Sequence, residues 1–380
     1  MGRCGGGHHD MRCTVARIDL GALRWNLSQL RHRAEGRKIM AMVKANAYGH
    51  GMIEVSRTLQ ESGVDMLGVA FADEGVTLRE QGIVVPIMVL TPTMADEARI
   101  VVDNALTTVA CDFDQVAALG TLAAEGGTKA IVHVYVDTGM HRDGVQPHEA
   151  VDFVHALDRL PGIDVQGICT HFATSDEAHS GFLLEQLESF RTVVATLSSA
   201  GRTFVHVHAA NTGAIWQAEQ ALCTMVRPGL SLYGYAPPFD DAMTMRPVLS
   251  LETKVLSVRR IRAGETVSYG RRYTAPADRT IATIPVGYGD GYPRKLTGKA
   301  TCLINGRSYP VVGTICMDEC MVDVGDDPVA IGDDVVLIGR QADVDGRIAS
   351  IDATDVAAWA ETIPYEITTA ITARVPRKYV

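Results

Sequence analysis

The chain has 380 residues, 47% hydrophobic and 21% charged, a balance that excludes a disordered chain and suits a soluble globular one. With 35 Lys and Arg against 45 Asp and Glu the formal charge is −10, so the basic face that a general nucleic-acid binder needs is not expected. The opening MGRCGGGHHD lacks the apolar stretch of an export signal, and no apolar run reaches the ~18–20 residues that span a membrane.

Residues 1–10 read as a disordered leader, with Met11 as an alternative start. From there short β-rich runs alternate with amphipathic stretches. The predicted strands are Ile39–Val43, Met66–Val69, Pro86–Leu90, Thr107–Ala110, Ile131–Val136, Val165–Thr170, Phe204–His208 and Met225–Arg227. Apolar residues at helical spacing mark Leu20–Ala34, Gly51–Ser62 and Phe182–Leu197. About eight alternations over ~220 residues predict an α/β fold, a (β/α)8 TIM barrel over residues 11–240. No GxGxxG follows the first strand and no GxxxxGK[ST] occurs, which weighs against the nucleotide-binding sheets.

After Ala236-Pro237-Pro238 the texture changes. Closely spaced turn signals predict an all-β domain over 241–380; Asn305-Gly306, between Thr301–Ile304 and Ser308–Val312, is the clearest hairpin. One amphipathic stretch, Ile351–Glu361, interrupts it. The 8 cysteines are scattered, with no CxxC and no histidine near Cys316 and Cys320. Reduced thiols in a cytoplasmic protein are expected, not a zinc site.

In a barrel the working residues stand just beyond the C-terminal ends of the strands. Lys44 follows the first strand. Taken alone it reads as a snorkelling surface lysine; partly desolvated at a barrel mouth, it would be a nucleophilic amine. The other strand ends carry Arg142, His171, His208, Thr212 and Arg227. Two arginines suit a carboxylate or phosphate ligand, and Gly229 with Leu230 suits a phosphate held by backbone N–H groups. His206-x-His208 has the spacing of a metal pair, but no histidine follows it. The preferred reading is one core imidazole and one oriented by hydrogen bonds, with no metal. Tyr269, Tyr288 and Tyr365 each stand beside Gly or Pro. They read either as strand aromatics or as phenols that a neighbouring cation fits for base work.

Taken in order, Met42-Val43-Lys44-Ala45-Asn46-Ala47-Tyr48-Gly49-His50-Gly51, Asp137-Thr138-Gly139-Met140, Thr170-His171-Phe172-Ala173, Ala210-Asn211-Thr212 and Val226-Arg227-Pro228-Gly229 resemble the alanine racemase family. The resemblance continues through Val267-Ser268-Tyr269-Gly270, Gly287-Tyr288-x-Asp290-Gly291, Cys316-Met317-Asp318 and Thr362-x-x-Tyr365-Glu366, covering about residues 13–380. It implies a pyridoxal-phosphate (PLP) enzyme acting as a head-to-tail homodimer with shared active sites. Lys44 would hold PLP covalently. Tyr48, Thr212, Tyr365 and the backbone of Gly229 and Leu230 would hold its phosphate. Arg227 would face the pyridine nitrogen, supported by His208. Arg142 and the backbone N–H of Met317 would bind the substrate carboxylate. Tyr288 would shape the entrance, Asp318 would be a further supporting residue, and His171 would orient the phenol of Tyr269 from the other subunit.

The implied chemistry is inversion at Cα of alanine. That needs an electron sink, which the cofactor supplies, and two bases on opposite faces, Lys44 and Tyr269. Three departures from the family pattern stand near the substrate side. Tyr135 occupies the place of a lysine that is often carbamylated, His141 replaces a frequent Gly or Asn, and Thr314 stands where some members carry an entrance arginine. They leave open a racemase that prefers another amino acid, such as serine. A non-catalytic PLP-binding protein of the same barrel fold is the other alternative, and the β-domain with Tyr269 speaks against it.

Overall fold

A computed structural model describes residues 12–178, 180–237 and 245–380. The expected leader, 1–10, lies outside these. The chain forms two compact units, one of residues 22–246 and one that joins 12–21 to 247–380.

In the first unit eight parallel strands close into a barrel: Lys38–Met42, Met66–Val69, Ile87–Val89, Thr107–Ala110, Ala130–Tyr135, Ile163–Cys169, His206–His208 and Met225–Val226. Closure comes where Lys38 and Ile39 pair with Met225 and Val226. The strands are short continuous apolar runs because a parallel barrel buries both faces of its sheet. Met66–Val69 and Thr107–Ala110 are buried along their whole length. Helices alternate with them. The longest, Gly181–Ser199, sends Leu183, Leu187, Phe190, Val193 and Leu197 into the core at helical spacing, each 4% exposed or less. Burying each such side chain contributes roughly 1.5–3 kcal/mol. Asp112 caps Phe113–Glu125 by accepting from the Gln115 N–H at 3.0 Å.

The second unit is a largely antiparallel sheet. Its order runs Ser257–Ile261, Arg279–Ile284, Cys320–Gly325, Arg307–Val312, Thr301–Ile304, Asp334–Ala342, Leu249–Lys254, Val15–Ile18 and Arg377–Tyr379. Asn305 and Gly306, at φ 52° and 75°, make the tight turn of the expected hairpin. Ala353–Ala360 realises the amphipathic stretch, and a second short helix, Pro364–Thr369, follows it.

The expected division, 11–240 and 241–380, differs from these units at the N-terminus. Val15–Ile18 pairs antiparallel with Leu249–Lys254 and parallel with Arg377–Tyr379, so the first strand of the chain belongs to the β-unit. Among the described residues no helix is long and apolar enough to cross a membrane, and the seven cysteines described are free.

Candidate active site

Lys44 sits where the first barrel strand ends, and the backbone after it is unusual. Ala45, Asn46, Ala47 and Tyr48 all have φ between 51° and 55°, a left-handed turn made without glycine. A side chain in that conformation costs roughly 1–2 kcal/mol per residue, so the turn must be held from outside. The Glu74 carboxylate does much of this. One oxygen accepts the Ala45 N–H at 2.7 Å and the other accepts the Ala70 N–H at 2.7 Å. Asn46 accepts the Met52 N–H at 2.9 Å, and Ala47 N–H donates to Val43 O at 2.8 Å. The Lys44 amine is thereby fixed in a partly buried position. Burial lowers its pKa, Arg142 and Arg227 lower it further, and Glu74 opposes them.

Tyr48, at the far end of the turn, stacks on Tyr233 with ring centroids 5.0 Å apart. The Tyr233 hydroxyl donates to Met42 O at 2.7 Å. A Cβ on Gly229 would stand 2.6 Å from the Tyr48 hydroxyl, so only glycine leaves the space between them open. Thr212 Oγ1 accepts the Gly229 N–H at 3.0 Å and lies 3.3 Å from the Ser231 hydroxyl. Tyr48, Thr212, Gly229, Leu230 and Ser231 therefore gather hydroxyl and backbone groups in a buried cradle around a position where a Cβ would not fit. That donor chemistry and that space fit a phosphate group.

Arg227, 5% exposed, is the hub of the barrel mouth. Its guanidinium donates to His208 Nδ1 at 2.9 Å, His171 Nδ1 at 3.1 Å, Thr170 O at 2.8 Å and Ala209 O at 3.0 Å. An arginine can only donate, so both imidazoles accept through Nδ1 and carry their proton on Nε2. Burial pushes both histidines well below their usual pKa, and the Arg227 charge adds to this. Both effects favour the neutral ring that the hydrogen bonds from Arg227 require.

Beyond the fifth barrel strand, Asp137 accepts the backbone N–H groups of Gly139 at 3.1 Å and His141 at 2.9 Å. The His141 ring lies 3.0 Å from its other oxygen. Burial would raise the Asp137 pKa, but these hydrogen bonds outweigh it and lower it. His141 has φ 52°, which is why Gly or Asn suits the position and why the ring needs an anchor. Arg142 is half-exposed, with Nε 3.3 Å from Asp143. Tyr135 is buried, and burial with Cys169 raises its phenol to about 12 while Arg142 and Arg227 pull against the rise. At position 135 the barrel thus holds a neutral hydroxyl.

The remaining predicted residues lie on the β-unit. Tyr269 is 73% exposed and Met317 is 52% exposed. Around Tyr269 the backbone is again strained, with φ 67° at Ser268, 69° at Gly270 and 49° at Arg271. The Thr314 hydroxyl donates to Tyr269 O at 2.6 Å, and the Ser268 hydroxyl donates to Thr314 O at 2.6 Å. Thr314, where some family members carry an entrance arginine, is buried and clasps that turn from beneath. Tyr288 N–H donates to Cys316 O at 3.1 Å, and Gly289 N–H to Met317 O at 2.9 Å, so these two loops are tied together. Arg374 holds Asp318 at 2.7 Å. Tyr365 stands half-buried in the helix Pro364–Thr369.

Sequence reasoning missed Glu74, Ser231, His133 and the part played by Thr314. His133 had a visible signal, a histidine inside the apolar run Ala130–Tyr135. Glu74 had none, because a glutamate in the first turn of a helix is ordinary.

A closed eight-stranded parallel barrel that carries a part-buried lysine amine and a buried guanidinium hub, followed by a β-unit, defines a class: a barrel enzyme whose working residues stand at the strand ends. The comparisons make this particular. The family described as alanine racemase, N-terminal domain, matches residues 18–237, and alanine racemase, C-terminal domain, matches 248–379. The chain is 42% identical to the alanine racemase of Symbiobacterium thermophilum and 40% identical to that of Halothermothrix orenii, covering 97% of each chain in both cases. The solved alanine racemase of Clostridium difficile 630 superposes with a TM-score of 0.91 at 35% identity, over 98% of this chain and 97% of that one. The histidine racemase of Leuconostoc mesenteroides superposes with a TM-score of 0.89 at 30% identity, over 98% and 99%. The chain belongs to the alanine racemase family.

Proposed function

We propose that this enzyme is an isomerase that interconverts L- and D-alanine, with PLP held on Lys44 and with active sites shared between two copies of the chain. Bound there, PLP would supply the electron sink that makes an amino acid Cα–H acidic enough to remove. The phosphate belongs in the cradle of Tyr48, Thr212, Gly229 and Leu230. Arg227, held by His208, is assigned to the pyridine nitrogen.

The chain's own residues then handle the proton. Lys44 Nζ takes or returns it on one face; its lowered pKa keeps more of the amine in the neutral, basic form. The Tyr269 phenol of a second copy acts on the other face. His171 carries its proton on Nε2, because Nδ1 accepts from Arg227. It can therefore donate to the phenol oxygen and orient it. Arg142 and the Met317 N–H fix the substrate carboxylate. The exposure of Tyr269 and Met317 on a single chain fits a face completed by a partner. The free cysteines fit a cytoplasmic setting.

The carrying observation is the part-buried Lys44 amine, under the charges of Arg142 and Arg227, in the same barrel mouth as the Tyr48–Thr212–Gly229 cradle. The purified protein should show a visible cofactor band that borohydride abolishes, and peptide mapping should find the label on Lys44. Labelling elsewhere, with alanine racemisation intact, would contradict the assignment.

A further inference from the structure

Behind the Arg227 hub the barrel interior holds a further histidine. His133, fully buried on the fifth barrel strand, reaches across the sixth strand to the seventh, where its Nδ1 lies 2.8 Å from His208 Nε2. The sixth strand makes room for it. Gly167 pairs in register with His133, and a Cβ there would stand 2.5 Å from the His133 ring. A glycine in a strand interior weakens the strand, so this one marks a place where the ring must lie.

The protons in this chain can be assigned without ambiguity. Arg227 donates to His208 Nδ1, so that nitrogen holds a lone pair and the His208 proton sits on Nε2. Among the described residues, only His133 Nδ1 is there to accept it. His133 must then carry its own proton on Nε2, a buried atom with no partner among the described residues. Leaving a buried donor unpaired is costly, and the barrel retains it at the end of the ring that faces away from Arg227.

We infer that His133 is a positioning residue for Arg227, acting through His208. By accepting from Nε2 it reinforces the tautomer that Arg227 selects, the one whose Nδ1 can receive the guanidinium. Without that acceptor the Nε2–H is left unpaired in the barrel, and the tautomer with its proton on Nδ1, which would set N–H against N–H and turn the Arg227 plane, comes within reach. The catalytic consequence rests on the proposed place of Arg227 at the cofactor ring; the tautomer assignment does not.

The test has two arms. In holoenzyme labelled with [15Nδ1]-histidine, His208, assigned by its loss in His208→Asn, should give an unprotonated, pyridine-type Nδ1 resonance in solid-state NMR. A protonated, pyrrole-type Nδ1 overturns the inference, and needs no variant. In the second arm, His133→Leu should split or shift that resonance and lower kcat about tenfold with KM little changed, the effect of losing one hydrogen bond. His133→Asn places an acceptor oxygen where Nδ1 stood, and should restore both the resonance and kcat. If Asn behaves like Leu in both readouts, ring volume and not the acceptor is what matters, and the inference fails. Loss of Lys44 labelling in the native protein would sink the functional reading while leaving the NMR result standing.

Discussion

Arg227 shows how one buried charge organises its surroundings. It is the only partner in its cluster that cannot accept a hydrogen bond, so His171 and His208 take the tautomers it dictates. A lysine would keep the charge but not the planar fork. Arg227→Lys should lose kcat/KM by about 100-fold or more, from hydrogen bonds to a charged group worth roughly 1.5–3 kcal/mol each. Steady-state kinetics on alanine and serine check this; a loss below tenfold would count against it. Lys44 gives a pH prediction. Its pKa is depressed by burial, Arg142 and Arg227, so in cofactor-stripped protein it should acylate faster than surface lysines at pH 8–9. Arg142→Gln removes a charge that lowers the pKa. The midpoint of the pH–rate curve should then move to higher pH, and a downward move would contradict the electrostatic account. At this scale the sequence showed which residue types converge, because each stands at a strand end. The clasp by Thr314 was invisible, since it depends on two loops that meet only in the folded β-unit.

Two turns carry the proposed bases, and both are left-handed without being glycine-rich. The Lys44 turn runs from Ala45 to Tyr48 and is pinned by Glu74. Glu74→Ala leaves the Ala45 and Ala70 N–H groups without their acceptor. We expect it to lower stability by about 1–3 kcal/mol in urea and to loosen cofactor retention on dialysis. Unchanged values in both would show that the turn holds itself. The Tyr269 turn depends on Thr314 and Ser268. Thr314→Val should cut kcat several-fold and leave the cofactor spectrum intact, because the variant disturbs the phenol and not the barrel. Strands and helices were largely legible from periodicity. The predicted strand Phe204–His208 shortens to His206–His208: Phe204 is only partly buried and Val205 is 60% exposed, so these two apolar residues precede the barrel pairing instead of joining it. The left-handed turn was not legible: in Ala-Asn-Ala-Tyr only Asn46 takes such a φ readily, and hydrogen bonds formed in the folded barrel hold the run.

Across the molecule, the barrel was readable from the repeated strand–helix texture and the β-unit from its turns. The place of Val15–Ile18 was not, because its partners lie more than two hundred residues away, at Leu249–Lys254 and Arg377–Tyr379. Nothing local in a four-residue strand reports such pairing. The account as a whole requires two chains, since Lys44 and Tyr269 are proposed to serve one substrate from different copies. Lys44→Ala and Tyr269→Ala homodimers should each be inactive. Unfolded together and refolded at equal amounts, half the dimers should be hybrids, each with one intact site, restoring about 25% of native alanine racemisation. Recovery near that level is the predicted result; a mixture as inactive as its parents, with hybrid dimers demonstrably formed, would contradict the claim.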